Sequence, residues 1–170
     1  AEDGIRDIGV TGVQTCALPI YLTGFEEPES VLVLAAQRPV GEQVILFCRQ
    51  RDPKLEQWEG LRLGVERAPK TLGVDRAVPI EDLSLRLHEY LEGASKLYFS
   101  LGREGREHDD QVILRAFAAA RGRQKRGVMT PSAIIDPGSQ LGEMRLYKTE
   151  SELALMRQAA HLTAEGHCRA

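Results

Sequence analysis

Val31-Leu32-Val33-Leu34-Ala35-Ala36 is an unbroken apolar run, and Val44-Ile45-Leu46-Phe47-Cys48 follows it after Pro39 and Gly41. A strand with one wet face alternates apolar and polar side chains, whereas a continuous run puts apolar groups on both faces. The two stretches therefore predict a hairpin, turned at Pro39 and Gly41, in the middle of a sheet covered on both sides. A sheet buried on both faces needs helices to bury it, so the elements on either side should supply them.

Working outward, residues 74–78 read as a short strand. A helix is predicted over 81–91, because Leu83, Leu87 and Leu91 (with Leu85 nearby) form a stripe at helical spacing. Gly93 is a natural stop after it. Lys96-Leu97-Tyr98-Phe99 reads as another strand, and 109–121 as a second helix with Val112, Ile113, Ala116, Phe117 and Ala120 on one side. Strands alternating with amphipathic helices predict an α/β fold with a mixed, partly parallel sheet flanked by helices. The stretch 49–64 alternates charge and Gly around one Trp without clean periodicity, and reads as a structured loop at the strand ends.

Near the C-terminus, Thr149-Glu150-Ser151-Glu152 is a capping box: the Thr149 hydroxyl can take the Glu152 amide while the Glu152 carboxylate returns to the Thr149 amide. Leu153, Met156, Ala160 and Thr163 then continue at helical spacing. Nothing resembles a C-cap before Ala170, so this helix is expected to be a truncated one. There are no internal repeats.

The chain has 170 residues, 42% of them apolar, enough for one ordinary core. Its 22 basic and 25 acidic side chains leave a formal charge of −3, which favours neither nucleic acid nor an anionic membrane. No apolar run approaches the roughly 20 residues of a membrane span. Cys16, Cys48 and Cys168 have no paired or metal-like spacing, which suggests a reducing, cytoplasmic setting.

Residues 1–20 stand apart. They have no basic n-region and no adequate apolar stretch for a signal peptide. Back-translated, Ala1 to Asp7 and Val10 to Ile20 resemble two successive pieces of a sequencing-library adapter, in order and in one frame, with Ile8 and Gly9 in the place of an index. These residues are therefore expected to be a non-native, adapter-derived tail. Without its Arg6, Glu2, Asp3 and Asp7 the formal charge becomes −1.

Few residues invite a chemical role. His161, Glu165 and His167 lie near one another on the last helix, but the two-His, i and i+4 arrangement of a zinc-protease helix is absent, and a solvated face is the expectation. His88 and His108 stand alone. The basic run Arg121-Gly122-Arg123-Gln124-Lys125-Arg126 closes a helix that begins with Asp109 and Asp110, so it complements the helix dipole and has no aromatic interleaving for nucleic acid. Gly24, Gly60 and Gly64 form no phosphate loop, and Cys48, at the end of an apolar strand, is expected in the core. Spacing alone gives no catalytic residue and no metal ligand. Trp58 is the exception to keep: it is the only Trp and sits among Glu56, Gln57 and Glu59 rather than in an apolar run. Either it packs on its own domain, or it anchors a neighbouring subunit or a substrate.

Several stretches together resemble one family. Tyr21-Leu-Thr-Gly-Phe-Glu-Glu-Pro-Glu-Ser-Val-Leu-Val-Leu34 is similar to the N-terminal domain of Xaa-Pro aminopeptidases. So are Leu46-Phe-Cys-Arg-Gln-Arg-Asp52, Trp58-Glu-Gly-Leu-Arg-Leu-Gly64 and Leu72-Gly-Val-Asp75. Glu143-Met-Arg-Leu-Tyr-Lys148, with the helix through Met156-Arg157 to His167-Cys-Arg-Ala170, resembles the start of the family's catalytic domain. The resemblance implies a creatinase-like N-terminal domain over 21–142, then a linker and the first helix of a pita-bread metallopeptidase domain over 143–170. It further implies two divalent ions, usually Mn2+, held by two Asp, one His and two Glu beyond Ala170, with a bridging water that attacks the bond before proline. Substrates would be peptides with proline in the second position, and the enzyme a homo-oligomer, dimer or tetramer. The same resemblance makes Trp58 a substrate-side contact reaching a neighbour's active site in trans. On this expectation the chain alone is inactive and binds no catalytic metal.

Prolidase and creatinase share this architecture, and non-catalytic pita-bread domains bind peptides or histones. Trimming of tripeptides rather than dipeptides would separate the aminopeptidase from prolidase, and the metal ligands downstream would separate an enzyme from a binding module. The family's domain also begins with a strand ahead of the region matching Tyr21, so the chain is expected to be marginally stable around Val31–Leu34.

Overall fold

The computed structural model describes residues 22–124 and 127–169. The tail 1–20 that the sequence sets apart, with Tyr21, Lys125, Arg126 and Ala170, lies outside the described residues. The two apolar runs form β1 (Val31–Leu34) and β2 (Val44–Cys48), paired antiparallel with Val31 opposite Phe47 and Val33 opposite Ile45. Glu56–Glu59 makes a single helical turn, α1, and Gly64–Leu72 makes α2. The chain then returns as β3 (Arg76–Pro79), parallel to β2 with Phe47 opposite Val78, so β2 is the central strand of a three-stranded sheet. Asp75 secures the junction, its Oδ2 accepting the Gln43 and Val44 amides at 2.8 and 2.9 Å.

A second β–α–β unit follows. β4 (Lys96–Tyr98) and β5 (Ala133–Ile135) pair parallel and are joined through α4 (Glu107–Arg123). Between β3 and β4 the predicted helix over 81–91 is broken into a 3-10 turn at Ile80–Asp82, one α-helical turn α3 (Leu83–Arg86), and a 3-10 stretch over Leu87–Leu91. Its last carbonyls are satisfied from outside. Arg38 Nη2 donates to Glu89 O at 3.0 Å and Gln37 Nε2 to Tyr90 O at 2.8 Å, so side chains from the β1–β2 turn fill acceptors that the end of a helix leaves without an intrahelical partner. The leucine stripe survives, with Leu87 and Leu91 buried and Leu83 packed beside them, while Leu85 points to solvent.

Both faces of the hairpin are indeed buried, and the alternation divides them cleanly. Val31, Val33, Ile45 and Phe47 face one core with Val78, Leu87, Tyr90, Leu91, Leu97 and the α4 residues Val112, Ile113, Ala116 and Ala120. Leu32, Leu46 and Cys48 face the other, with Phe25, Val74 and Ala68 of α2. Phe47 is fully buried, and its ring meets Tyr90 edge-on with centroids 5.8 Å apart. Three elements were invisible to periodicity. β5 is only three residues long, α2 carries Pro69 inside it, and α5 (Gly138–Leu146) has no buried residue to impose a pattern.

The described chain up to Asp136 forms one compact unit, and the chain from Pro137 onward another, containing α5 and α6 (Glu150–Arg169). The capping box at the start of α6 is formed. The Thr149 amide and hydroxyl donate to Glu152 Oε2 at 2.7 and 2.8 Å, and the Glu152 amide donates to Thr149 Oγ1 at 3.3 Å. These bonds hold the Glu152 carboxyl below its ordinary value of 4.5, chiefly through the Thr149 amide.

Two outcomes are expected. Phe47→Ala should lower unfolding free energy by about 3–5 kcal/mol in urea titrations, while Val40→Ala, at an exposed turn position, should change it little. Because the folded-state value of Glu152 is depressed, its capping contribution is present above pH 4.5 and is lost as pH falls through that lower value. The Thr149 amide resonance should titrate with a midpoint below 4.5; a midpoint at or above 4.5 contradicts the formed box.

Candidate functional site

The stretch from Arg49 to Gly64 leaves the end of β2, makes the single turn of α1 and enters α2. None of its apolar side chains near the turn is buried: Trp58 is 88% exposed and Leu61 85%. Ion pairs hold it instead. Arg51 Nε and Nη2 each reach a Glu56 oxygen at 3.1 Å, a bidentate pair. Glu59 Oε2 accepts from Arg49 Nη1 at 3.3 Å and from Arg62 Nη2. Arg49 also lies 3.7 Å from Glu27, whose other oxygen accepts the Leu63 amide at 2.6 Å, and Arg62 Nη1 donates to Gln50 O at 3.2 Å. The Arg51 partnership sets the Glu56 carboxyl below its ordinary value, and the hydrogen bond to Glu59 raises the Arg62 guanidinium above its own.

Two glycines let the backbone follow this path. Gly60 has φ 90°, and Gly64 has φ 73° with the Arg51 stem so close that an added Cβ would stand 2.5 Å from Arg51 Cγ. The result is an exposed indole on a braced loop. The sequence singled out Trp58 but missed its supports, since Arg51 and Glu56 are five apart and Arg49 and Glu59 ten apart, spacings that no helix or strand rule pairs.

Elsewhere the structure offers little chemistry. The Cys48 thiol is buried and pushed up to about 11, first by burial and then by Glu27 and Glu81, so at neutral pH it is a protonated core group and no nucleophile. His161 Nδ1 lies 3.5 Å from Glu165 Oε1 on the exposed face of α6, and His167 is exposed beyond it. His108 is exposed and His88 half-buried. In the basic run, Arg121 lies over the Phe117 ring at 5.7 Å and Arg123 pairs with Glu92, so both serve the packing of α4, while Lys125 and Arg126 lie outside the described residues. Among the described residues no three His, Cys, Asp or Glu side chains are gathered as a metal site, and no helix is long and apolar enough to cross a membrane. A cavity of about 20 Å³ among Val31, Leu83, Leu87, Phe99, Val112 and Ile113, with Asp109 the one charged residue lining it, has room for about one water.

This arrangement defines an α/β layer domain with an exposed aromatic loop. Residues 20–98 match the family described as aminopeptidase P, N-terminal domain, and the chain carries that domain. The chain is 37% identical over 150 residues to a Xaa-Pro aminopeptidase of Escherichia coli strain K12, covering 88% of this chain and 34% of that protein. The structure of Pseudomonas aeruginosa aminopeptidase PepP superposes with a TM-score of 0.84 at 30% identity, covering 98% of this chain and 40% of the other. A zinc-substituted Escherichia coli aminopeptidase P in complex with product gives 0.78 at 36% identity, covering 87% and 33%. The chain thus spans about a third of the length of the curated relatives it matches. The aminopeptidase P family it resembles is one of peptide-cleaving metalloenzymes.

With native protein at neutral pH, an alkylating reagent should label Cys168, which is exposed, and leave Cys48 unmodified until denaturant is added. Mass-spectrometric mapping checks this, and rapid native labelling of Cys48 would contradict its buried, protonated state.

Proposed function

We propose that this chain is the N-terminal part of a metal-dependent Xaa-Pro aminopeptidase, which removes the N-terminal residue preceding proline from peptides. The observation that carries the proposal is a likeness running along 88% of this chain but only 34% of the relative. The remaining two thirds of such a protein would hold the catalytic domain. On this reading residues 21–142 are the N-terminal domain, and 143–170 the linker and first catalytic-domain helix. The separate compact unit from Pro137 onward supports that division.

The two metal ions, manganese on this proposal, belong to the catalytic domain and supply the activated water. The described residues here gather no donor set that fits them, so this chain's side chains are assigned no chemical step. Their role is assembly and access. Trp58, exposed on a braced loop, is proposed to contact peptide substrate at the active site of a neighbouring protomer in a cytoplasmic homo-oligomer. An exposed, rigidly carried indole suits that task because it offers a large apolar contact with few rotors to immobilise.

The test uses the full-length parent protein that this proposal implies. Trp58→Ala should raise KM for short peptides with proline second by about tenfold, the scale of losing one aromatic anchor, while kcat stays within about twofold. Unchanged kinetics remove Trp58 from the substrate path, and absence of any Xaa-Pro cleavage by the parent protein removes the functional proposal itself.

A further inference from the structure

The helical turn carrying Trp58 cannot hold itself together. α1 is four residues long, far below the length at which a helix is stable in water, and none of its residues is buried as a whole. Leu55, ahead of it, lends no side-chain cap, and the turn before it is closed by Asp52, whose Oδ1 accepts the Lys54 and Leu55 amides at 2.9 and 3.4 Å. α1 itself has a carboxylate at each end, three residues apart and so on nearly one face. At 100° per residue Trp58 lies about 160° from Glu56 and about 100° from Glu59, off the face they share, and the structure shows it in solvent.

Each carboxylate is held by cations that are themselves tied down. The Glu56 side chain is only 7% exposed and takes two bonds from Arg51, whose stem lies against Gly64 at the start of α2. Glu59 meets Arg49 and Arg62, whose side chains are 13% and 10% exposed. Arg49 leaves the end of β2 and also approaches Glu27; Arg62 also binds the Gln50 carbonyl. A nearly buried guanidinium is costly to leave without its anion, so these arginines hold the carboxylate as firmly as it holds them.

We propose that Glu56 and Glu59 are positioning residues: a two-point clamp that fixes α1 to the end of β2 and the start of α2 and so presents Trp58 outward in one orientation. The proposal rests on the reading of Trp58 as a substrate-side contact. The clamp orders the ring before its ligand arrives and so removes part of the ordering cost of binding. A loop needed only to connect β2 to α2 would not require both ends of its exposed turn to be fixed.

The full chain, 18.8 kDa, is small enough for backbone ¹⁵N relaxation. In the unaltered protein the amides of Trp58, Gly60 and Leu61 should show order parameters of about 0.85, falling below about 0.6 in the double variant Glu56→Gln, Glu59→Gln. The Leu46 and Phe47 amides of β2 should stay unchanged in the same spectra and report an intact fold. Loop order parameters that remain at the unaltered value overturn the clamp; should the double variant not fold, Glu59→Gln alone is judged by the same criterion. In the parent protein Glu59→Gln should raise KM toward the Trp58→Ala value with kcat unchanged. If Trp58→Ala raises KM while Glu59→Gln frees the loop without changing KM, the positioning role is overturned. If Trp58→Ala leaves KM unchanged although the loop is freed, the clamp stands and the substrate reading falls.

Discussion

The structure depends on one constraint: β1 and β2 are apolar on both faces, so the sheet must be covered twice. Four residues of the hairpin point to one core and three, with Leu34 and Val44 beside them, to the other. Every helix of the first unit that buries anything does so against one of those two surfaces. α4 and the turns over Leu83–Leu91 cover the first, and α2 covers the second. A polar residue at Leu46 or Phe47 would leave an unpaired group in one layer, where no water could satisfy it.

That double cover sets where irregular backbone can go. Once helices occupy both faces, the connections are confined to the strand ends, and the one from Arg49 to Gly64 emerges beyond Cys48 at the end of the central strand. Arg49 and Arg51 follow the last core residue directly, so their guanidiniums reach outward from a rigid base. This is why ion pairs can order an exposed turn here, although surface pairs on a mobile loop contribute little. The same end of β2 sets Cys48 in the interior, where burial and the neighbouring Glu27 keep its thiol protonated.

The second unit is built on other terms. α5 and α6 bury no residue, and α6 begins on a formed capping box rather than on an apolar contact. Local hydrogen bonds and propensity therefore account for its start, and Leu155, Met156 and Leu162 remain exposed along it. The Pseudomonas aeruginosa structure it resembles is of a chain more than twice as long.

The sequence by itself determined the buried hairpin, the alternation of strands and helices, the apolar face of α4 and the capping box of α6, because each is written in contiguous residues at a fixed period. It also marked Trp58, an aromatic residue set among charges. Tertiary structure alone decided what periodicity cannot carry. The helix expected over 81–91 became mostly 3-10, with Gln37 and Arg38, some fifty residues away, filling the carbonyls at its end. β5, at three residues, exists only because β4 offers it a ladder. The supports of Trp58 come from Glu27, from the end of β2 and from the residues before α2, segments brought together by the fold. Hydrogen bonds and charge pairs across chain separations leave no period to read, whereas apolar burial on a regular element does.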